Sequence, residues 1–183
     1  SILTTVFTLI AANLYPLYPT QLSLLGAFTI GTPAFFLALQ PNKELIRGDF
    51  LVNVILKALP AGLADFIMIA AISIHGNVLG MSNEQISTVA IVILLFIGLE
   101  ALVRICRPFD WVRGGVCVCM ALGATISVSF FKKMFAIASL NGEQWLITVI
   151  LMFISIIVFI VWCLVIGYLE KNVHLYDKLK SNK

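Results

Sequence analysis

QLSLLGAFTIGTPAFFLALQPN, residues 21–42, is apolar enough to be buried, yet Gly26, Gly31 and Pro33 interrupt it with Thr29 and Thr32 set between them. A helix running through Pro33 loses one backbone N–H and meets the carbonyl four residues earlier, so it must kink or open. In lipid, the groups freed near Thr29 need a neighbouring helix, a hydroxyl, a water or a bound ion. Two arrangements meet that need. One is a proline kink filled by packing or water; the other is a broken helix that turns carbonyl oxygens toward a cation, as transporters do.

The surrounding composition sets the solvent. Of the 183 residues, 61% are hydrophobic and 11% charged, with a mean hydropathy of +1.05. Soluble domains sit near about 45–50% apolar and about 25% charged. This is the composition of an integral membrane protein. Its apolar residues come in long runs rather than in alternation, which selects a bundle of membrane helices over a β-barrel. The net charge of +3 is spread over short loops and a tail. That distribution signals orientation in a bilayer, the expected partner, and not a nucleic-acid footprint. Cys106, Cys117, Cys119 and Cys163 all lie in or beside apolar segments. They fit small buried hydrophobes, neither a disulfide framework nor a metal site.

Taken in order, the chain predicts an all-α membrane protein of six helices, at about 1–14, 21–39, 50–74, 86–106, 114–131 and 145–169, with a tail over 170–183. The second is expected to break near Thr29–Pro33. The first run rises only about 21 Å and lacks the basic flank of a signal peptide. With Ser1 in place of an initiator methionine, the chain is expected to begin partway through a membrane segment of something larger. Ser82 and Gln85 have capping-box spacing ahead of the fourth helix. The fifth is rich in small residues, which suits close helix packing. One set of loops and the tail holds Lys43, Arg47, Arg104, Arg107, Arg113, Lys171, Lys178, Lys180 and Lys183; the opposite set holds only Lys132 and Lys133. The positive-inside rule then puts both ends in the cytoplasm of a multi-pass cell-membrane protein.

Asp65 and Glu100 are the two carboxylates inside apolar helices. An acidic side chain at mid-membrane costs roughly 2.5–3.5 kcal/mol on insertion scales, so each should have a partner or a task. Glu100 has Arg104 one turn on, a local ion pair, or it is a hard oxygen ligand or proton acceptor facing the broken helix. Asp65 is about 12 Å of helix from Lys57, too far for a direct bridge, which leaves protonation, a neighbouring helix or a function. His75 and His174 are expected to be solvated. Trp111, Trp145 and the tyrosines suit interface anchors. The chain has no G-x-G-x-x-G, no phosphate-cradling loop motif, no Cys-x-x-Cys and no nucleophile motif.

The order of these features resembles the last six transmembrane helices, M5 to M10, of a bacterial P-type cation-transporting ATPase of the calcium-pump-like branch. The second segment looks like M6, with Pro19-Thr20-Gln21-Leu22 entering, Thr29-Ile30-Gly31-Thr32-Pro33-Ala34 at the centre and Pro41-Asn42 leaving. Leu45-Ile46-x-Gly48 is similar to the entry into M7, and Leu99-Glu100 to the M8 position of an ion-binding glutamate. Trp111-Val112, Asn141-Gly142-Glu143-Gln144-Trp145-Leu146 and Tyr168-Leu169-Glu170 resemble the M9 start, the M10 entry and its exit. Where calcium pumps carry an asparagine and an aspartate in M6, this chain matches with Gly26 and Ile30. No cysteine precedes Pro33, unlike the pumps for soft metals.

The resemblance implies the membrane portion of an ATP-driven cation pump, exporting calcium or another divalent cation. Its candidate cation-binding residues are Glu100, Thr29, Ile30, Gly26 and Asp65, with Glu100 as the metal ligand and Gly31 and Pro33 opening the helix. Lys43, Glu44, Arg47 and Asp49 would form the loop to a phosphorylation domain. No catalytic residue is expected in this chain, because the Asp-Lys-Thr-Gly phosphorylation motif is missing. The parent would use ATP and Mg2+, and the partner would be the missing N-terminal part of the same pump, its cytoplasmic domains and M1 to M4. The alternatives are a self-contained six-helix secondary transporter or channel, and a non-catalytic membrane subunit.

Overall fold

The computed structural model of the chain describes residues 17–39, 50–107 and 110–181, with side chains described for all of these except 50–54, 56 and 169–181. The expected helix at 1–14 and the loop residues Lys43, Glu44, Arg47 and Asp49 lie outside them. The described residues form five helices and no strand: α1 (Pro19–Ala38), α2 (Phe50–Val78), α3 (Asn83–Ile105), α4 (Trp111–Phe130) and α5 (Gly142–Ser181). All five contain a stretch long and apolar enough to cross a membrane.

Local chemistry fixes the ends. Gly80, at φ +65°, closes α2: the Met81 N–H reaches back to the Gly76 carbonyl at 2.9 Å, the wrap that a left-handed glycine permits. That carries α2 one turn beyond the expected residue 74. Ser82 and Gln85 then form the predicted capping box, each side chain bonded to the other's backbone N–H at 3.3 and 3.1 Å. The box starts α3 at Asn83, three residues ahead of the expected 86. Trp111 and Gly142 likewise open α4 and α5 three residues early. Residues 170–181 continue α5 as helix instead of forming a separate tail. Loss of hydropathy ends a membrane span there, but no glycine or proline is present to end the helix.

The bundle is built around α3, whose Ala90, Ile91, Ile93 and Ile97 are fully buried. Helices α2 and α5 pack on it and on each other through Ala64, Met68, Ile69, Ile72 and Phe159. Large apolar side chains point outward on α1 (Ile30, Phe35) and on α5 (Phe153, Ile157, Leu164).

Proline decides the shape of α1. The helix does not unwind at Thr29–Pro33; it widens into a five-residue π turn, Ala27–Gly31. The Thr32 N–H bonds the Ala27 carbonyl five residues back, and Gly31 and Thr32 both keep helical angles (φ −65°, ψ −60° and φ −64°, ψ −46°). One extra residue in the turn moves the carbonyl that the Pro33 ring would otherwise strike. Thr29 Oγ1 donates to the Leu25 carbonyl at 2.7 Å, so the hydroxyl is engaged within its own helix.

Two glycines receive the wide turn. A Cβ on Gly98 of α3 would overlap the Thr29 side chain, and one on Gly123 of α4 would stand 2.5 Å from Phe28 Cε1. Helices without a hydrophobic driving force between them gain their association from such close approach.

A buried polar knot fastens the neighbouring end. Gln21, fully buried, accepts from Ser87 Oγ at 2.5 Å and from the Tyr18 N–H at 3.2 Å, and donates to the Ala136 carbonyl at 3.2 Å. Thr88 Oγ1 accepts from the Ala138 N–H at 2.8 Å. Together they pin the connection between α4 and α5 to α1 and α3, and Ala136 sits at φ 49° to reach it.

Two outcomes follow for the intact protein unfolded by sodium dodecyl sulfate in mixed micelles. Gly98→Ala should cost about 1–3 kcal/mol by overpacking, and Thr29→Ser in the same chain should recover part of that by removing the clashing methyl. Gln21→Leu should cost about 1–3 kcal/mol for each buried group left unpaired, and less when Ser87→Ala is also present.

Candidate cation site

The candidate residues fall into two groups on different elements. Gly26, Thr29, Ile30, Gly31 and Pro33 belong to α1, and Asp65 and Glu100 to α2 and α3. Asp65 lies thirteen residues before the end of α2 at Val78, and Glu100 seventeen after the start of α3 at Asn83. At 1.5 Å per residue these are about 20 and about 26 Å of helix, so on antiparallel neighbours the two carboxylates lie about one turn apart in depth.

Both carboxylates carry an oxygen with no accessible surface and no hydrogen-bond partner among the described residues: Asp65 Oδ1 and Glu100 Oε2. Ser73 Oγ on α2 is the third such atom. A buried acceptor left unmade costs about 1–3 kcal/mol, and more when charged. The partner expected for Glu100 is turned elsewhere. Arg104 Nη1 donates to Cys163 Sγ on α5 at 3.1 Å, bridging α3 to α5. Lys57, the one base near Asp65 in sequence, is exposed.

The α1 group is arranged differently from the expected cage. Thr29 packs on Gly98, and Glu100 is two residues further on, roughly 200° around α3. Thr29 and Glu100 therefore lie on different faces of that helix. Ile30 is 68% exposed and Gly31 is also exposed, while a Cβ at Gly26 would meet nothing within 4 Å. Among the described residues, no three His, Cys, Asp or Glu side chains converge. An ion such as calcium takes six to eight oxygens, so carbonyl oxygens and groups beyond the described residues would have to complete any shell around Glu100.

Sequence reasoning overlooked two contacts. The Gln21–Ser87 pair had a faint signal, since a glutamine inside an apolar run needs a partner. Arg104 with Cys163 had none, because it joins positions on different helices.

No family profile and no solved structure matches the chain. Curated relatives do. The "Calcium-transporting ATPase CtpE" of Mycolicibacterium smegmatis is 31% identical over 134 residues, which are 70% of this chain and 17% of that protein. The protein of the same name in Mycobacterium tuberculosis is 36% identical over 104 residues, 55% of this chain and 13% of its own length. The "Probable cation-transporting ATPase exp7" of Streptococcus pneumoniae is 25% identical over 150 residues, 80% of this chain and 19% of its own length. The chain thus spans less than a fifth of the curated relatives it matches. By sequence it is similar to part of these calcium- and cation-transporting ATPases.

Proposed function

We propose that this chain forms part of the cation pathway of an ATP-driven pump, with a divalent cation, calcium first, as the transported substrate. The observation that carries this reading is Glu100 Oε2: buried, without a hydrogen-bond partner among the described residues, on a helix whose neighbouring arginine is engaged by Cys163. A carboxylate with a buried oxygen left without a hydrogen bond among the described residues is a poor structural device and a good hard ligand. The relatives' names supply the energy source and the class of cargo, and they favour a pump over a self-contained carrier.

In this reading Glu100 is the cation ligand of the chain, and Asp65, about one turn away in depth, is a second acidic group on the path. The π turn at Ala27–Gly31 is the deformable part of α1. A π turn can return to α geometry by passing its extra residue along the helix, which rotates one end of α1 against the other without unwinding it. The exposed face with Ile30 and Gly31 would receive the remainder of the pump. ATP and Mg2+ act in the cytoplasmic domains of the parent, which the loop bearing Lys43, Glu44, Arg47 and Asp49 would contact. Both ends of the chain would then lie on the cytoplasmic side, which the distribution of bases favours.

In the intact pump, Glu100→Gln should raise the cation concentration for half-maximal ATP hydrolysis by roughly tenfold or more, equivalent to about 1.4 kcal/mol of lost binding. Unchanged cation-stimulated hydrolysis and uptake in that variant would remove Glu100 from the pathway.

A further inference from the structure

Helices α4 and α5 both lean on α3 but scarcely touch each other. They leave between them a cleft of about 230 Å³, whose walls include Leu95 and Leu99 of α3, Val128 and Ser129 of α4, and Trp145 and Met152 of α5. Trp145 stands three residues into α5 and Met152 ten. The cleft therefore runs from the membrane surface to a depth of about 15 Å, along the direction of a lipid chain. A nearly all-apolar space does not hold water, which needs polar partners, and takes a hydrocarbon guest instead.

The mouth of the cleft carries charge. Lys132 and Lys133 follow Ser129 by three and four residues, just past the end of α4 at Phe130. Both are exposed, and neither ammonium is in an ion pair among the described residues. Glu84 and Glu143, the acidic side chains on the same side of the membrane, stand in the first turns of α3 and α5, where the helix dipole suits a negative charge. The turn that holds the lysines is fixed. The Ile137 N–H closes on the Lys132 carbonyl at 2.8 Å, Gln21 donates to the Ala136 carbonyl, and the Ala138 N–H reaches Thr88. These two lysines are also the bases that the sequence places on this side, against nine on the other. A pair that orientation in the bilayer disfavours calls for a local reason.

We propose that this cleft is a binding site for one anionic phospholipid, drawn from the leaflet on the side of the α4–α5 connection. Its acyl chain lies between α4 and α5, against Leu95, Leu99 and Met152. Its headgroup phosphate is met by the Lys132 and Lys133 ammonium groups, with Ser129 and Trp145 lining the level where headgroup and chain join. Two positive charges select an anionic headgroup over a zwitterionic one, because only the former brings a net counter-charge. The inference stands apart from the transported cation and needs only the bilayer and the bundle.

The test uses the intact protein in nanodiscs of phosphatidylglycerol and phosphatidylcholine in equal parts, one of the two carrying a diazirine at the middle of an acyl chain. After illumination the adducts are located by mass spectrometry of the digested protein. In the wild type the phosphatidylglycerol probe should label the cleft residues about fivefold or more above the phosphatidylcholine probe. Both probes should label the outward residues Phe153, Ile157 and Leu164 of α5 equally. Lys132→Ala combined with Lys133→Ala should bring phosphatidylglycerol labelling of the cleft down to the phosphatidylcholine level. Both side chains are exposed, so the bundle survives their loss. Equal labelling of the cleft by the two probes in the wild type would overturn the proposal. So would an excess that persists in the double variant, or the same excess at Phe153, Ile157 and Leu164, which is a preference of the whole lipid-facing surface.

Discussion

A missing backbone N–H at Pro33 organises this structure. Proline in a membrane helix frees a backbone group that lipid cannot pair, and here the answer is geometric instead of chemical. The chain widens one turn, Ala27–Gly31, and restarts an α-helix with Pro33 in its first turn, where no N–H is needed. A wider turn takes more room. Gly98 and Gly123 supply it by offering bare backbone on α3 and α4 to Thr29 and Phe28. The small residues of those two helices therefore have a local reason: they form the notch that fits a bulge of this size.

Polar groups in this bundle are of two kinds. Those around Gln21 are paired across three elements and act as a fastening, since a paired buried group leaves no unmet acceptor in lipid. Asp65 Oδ1 and Glu100 Oε2 lack partners among the described residues. Arg104 could have neutralised Glu100 one turn away, yet it crosses to Cys163. The described residues satisfy Gln21, Ser87 and Thr88 but leave these two carboxylate oxygens and Ser73 Oγ unmet. That contrast supports the transport reading more strongly than the count of acidic residues does.

Much of the fold was legible in the sequence because a bilayer imposes length and continuity on apolar runs. The capping box at Ser82 and Gln85 was visible for the same local reason, and the Pro33 position was rightly picked out. The form of its distortion was not, because widening and unwinding both relieve a proline clash. The choice between them rests on Gly98 and Gly123, distant in sequence. Helix starts were placed three residues late at α3, α4 and α5, since hydropathy marks where lipid begins and capping marks where the helix begins. For the site, the carboxylates stood out by cost alone. Their separation from Thr29 did not, because it depends on the rotation of α3 against α1.

The most direct test is electron cryomicroscopy of the intact protein in lipid nanodiscs, wild type beside Pro33→Ala, at a resolution that traces carbonyl oxygens. The account predicts a wild-type bond from the Thr32 N–H to the Ala27 carbonyl with Thr29 seated on Gly98, and a regular α-helix through residues 27–34 in the alanine variant. A regular α ladder through Pro33 in the wild type, or the same π turn surviving in Pro33→Ala, would contradict it.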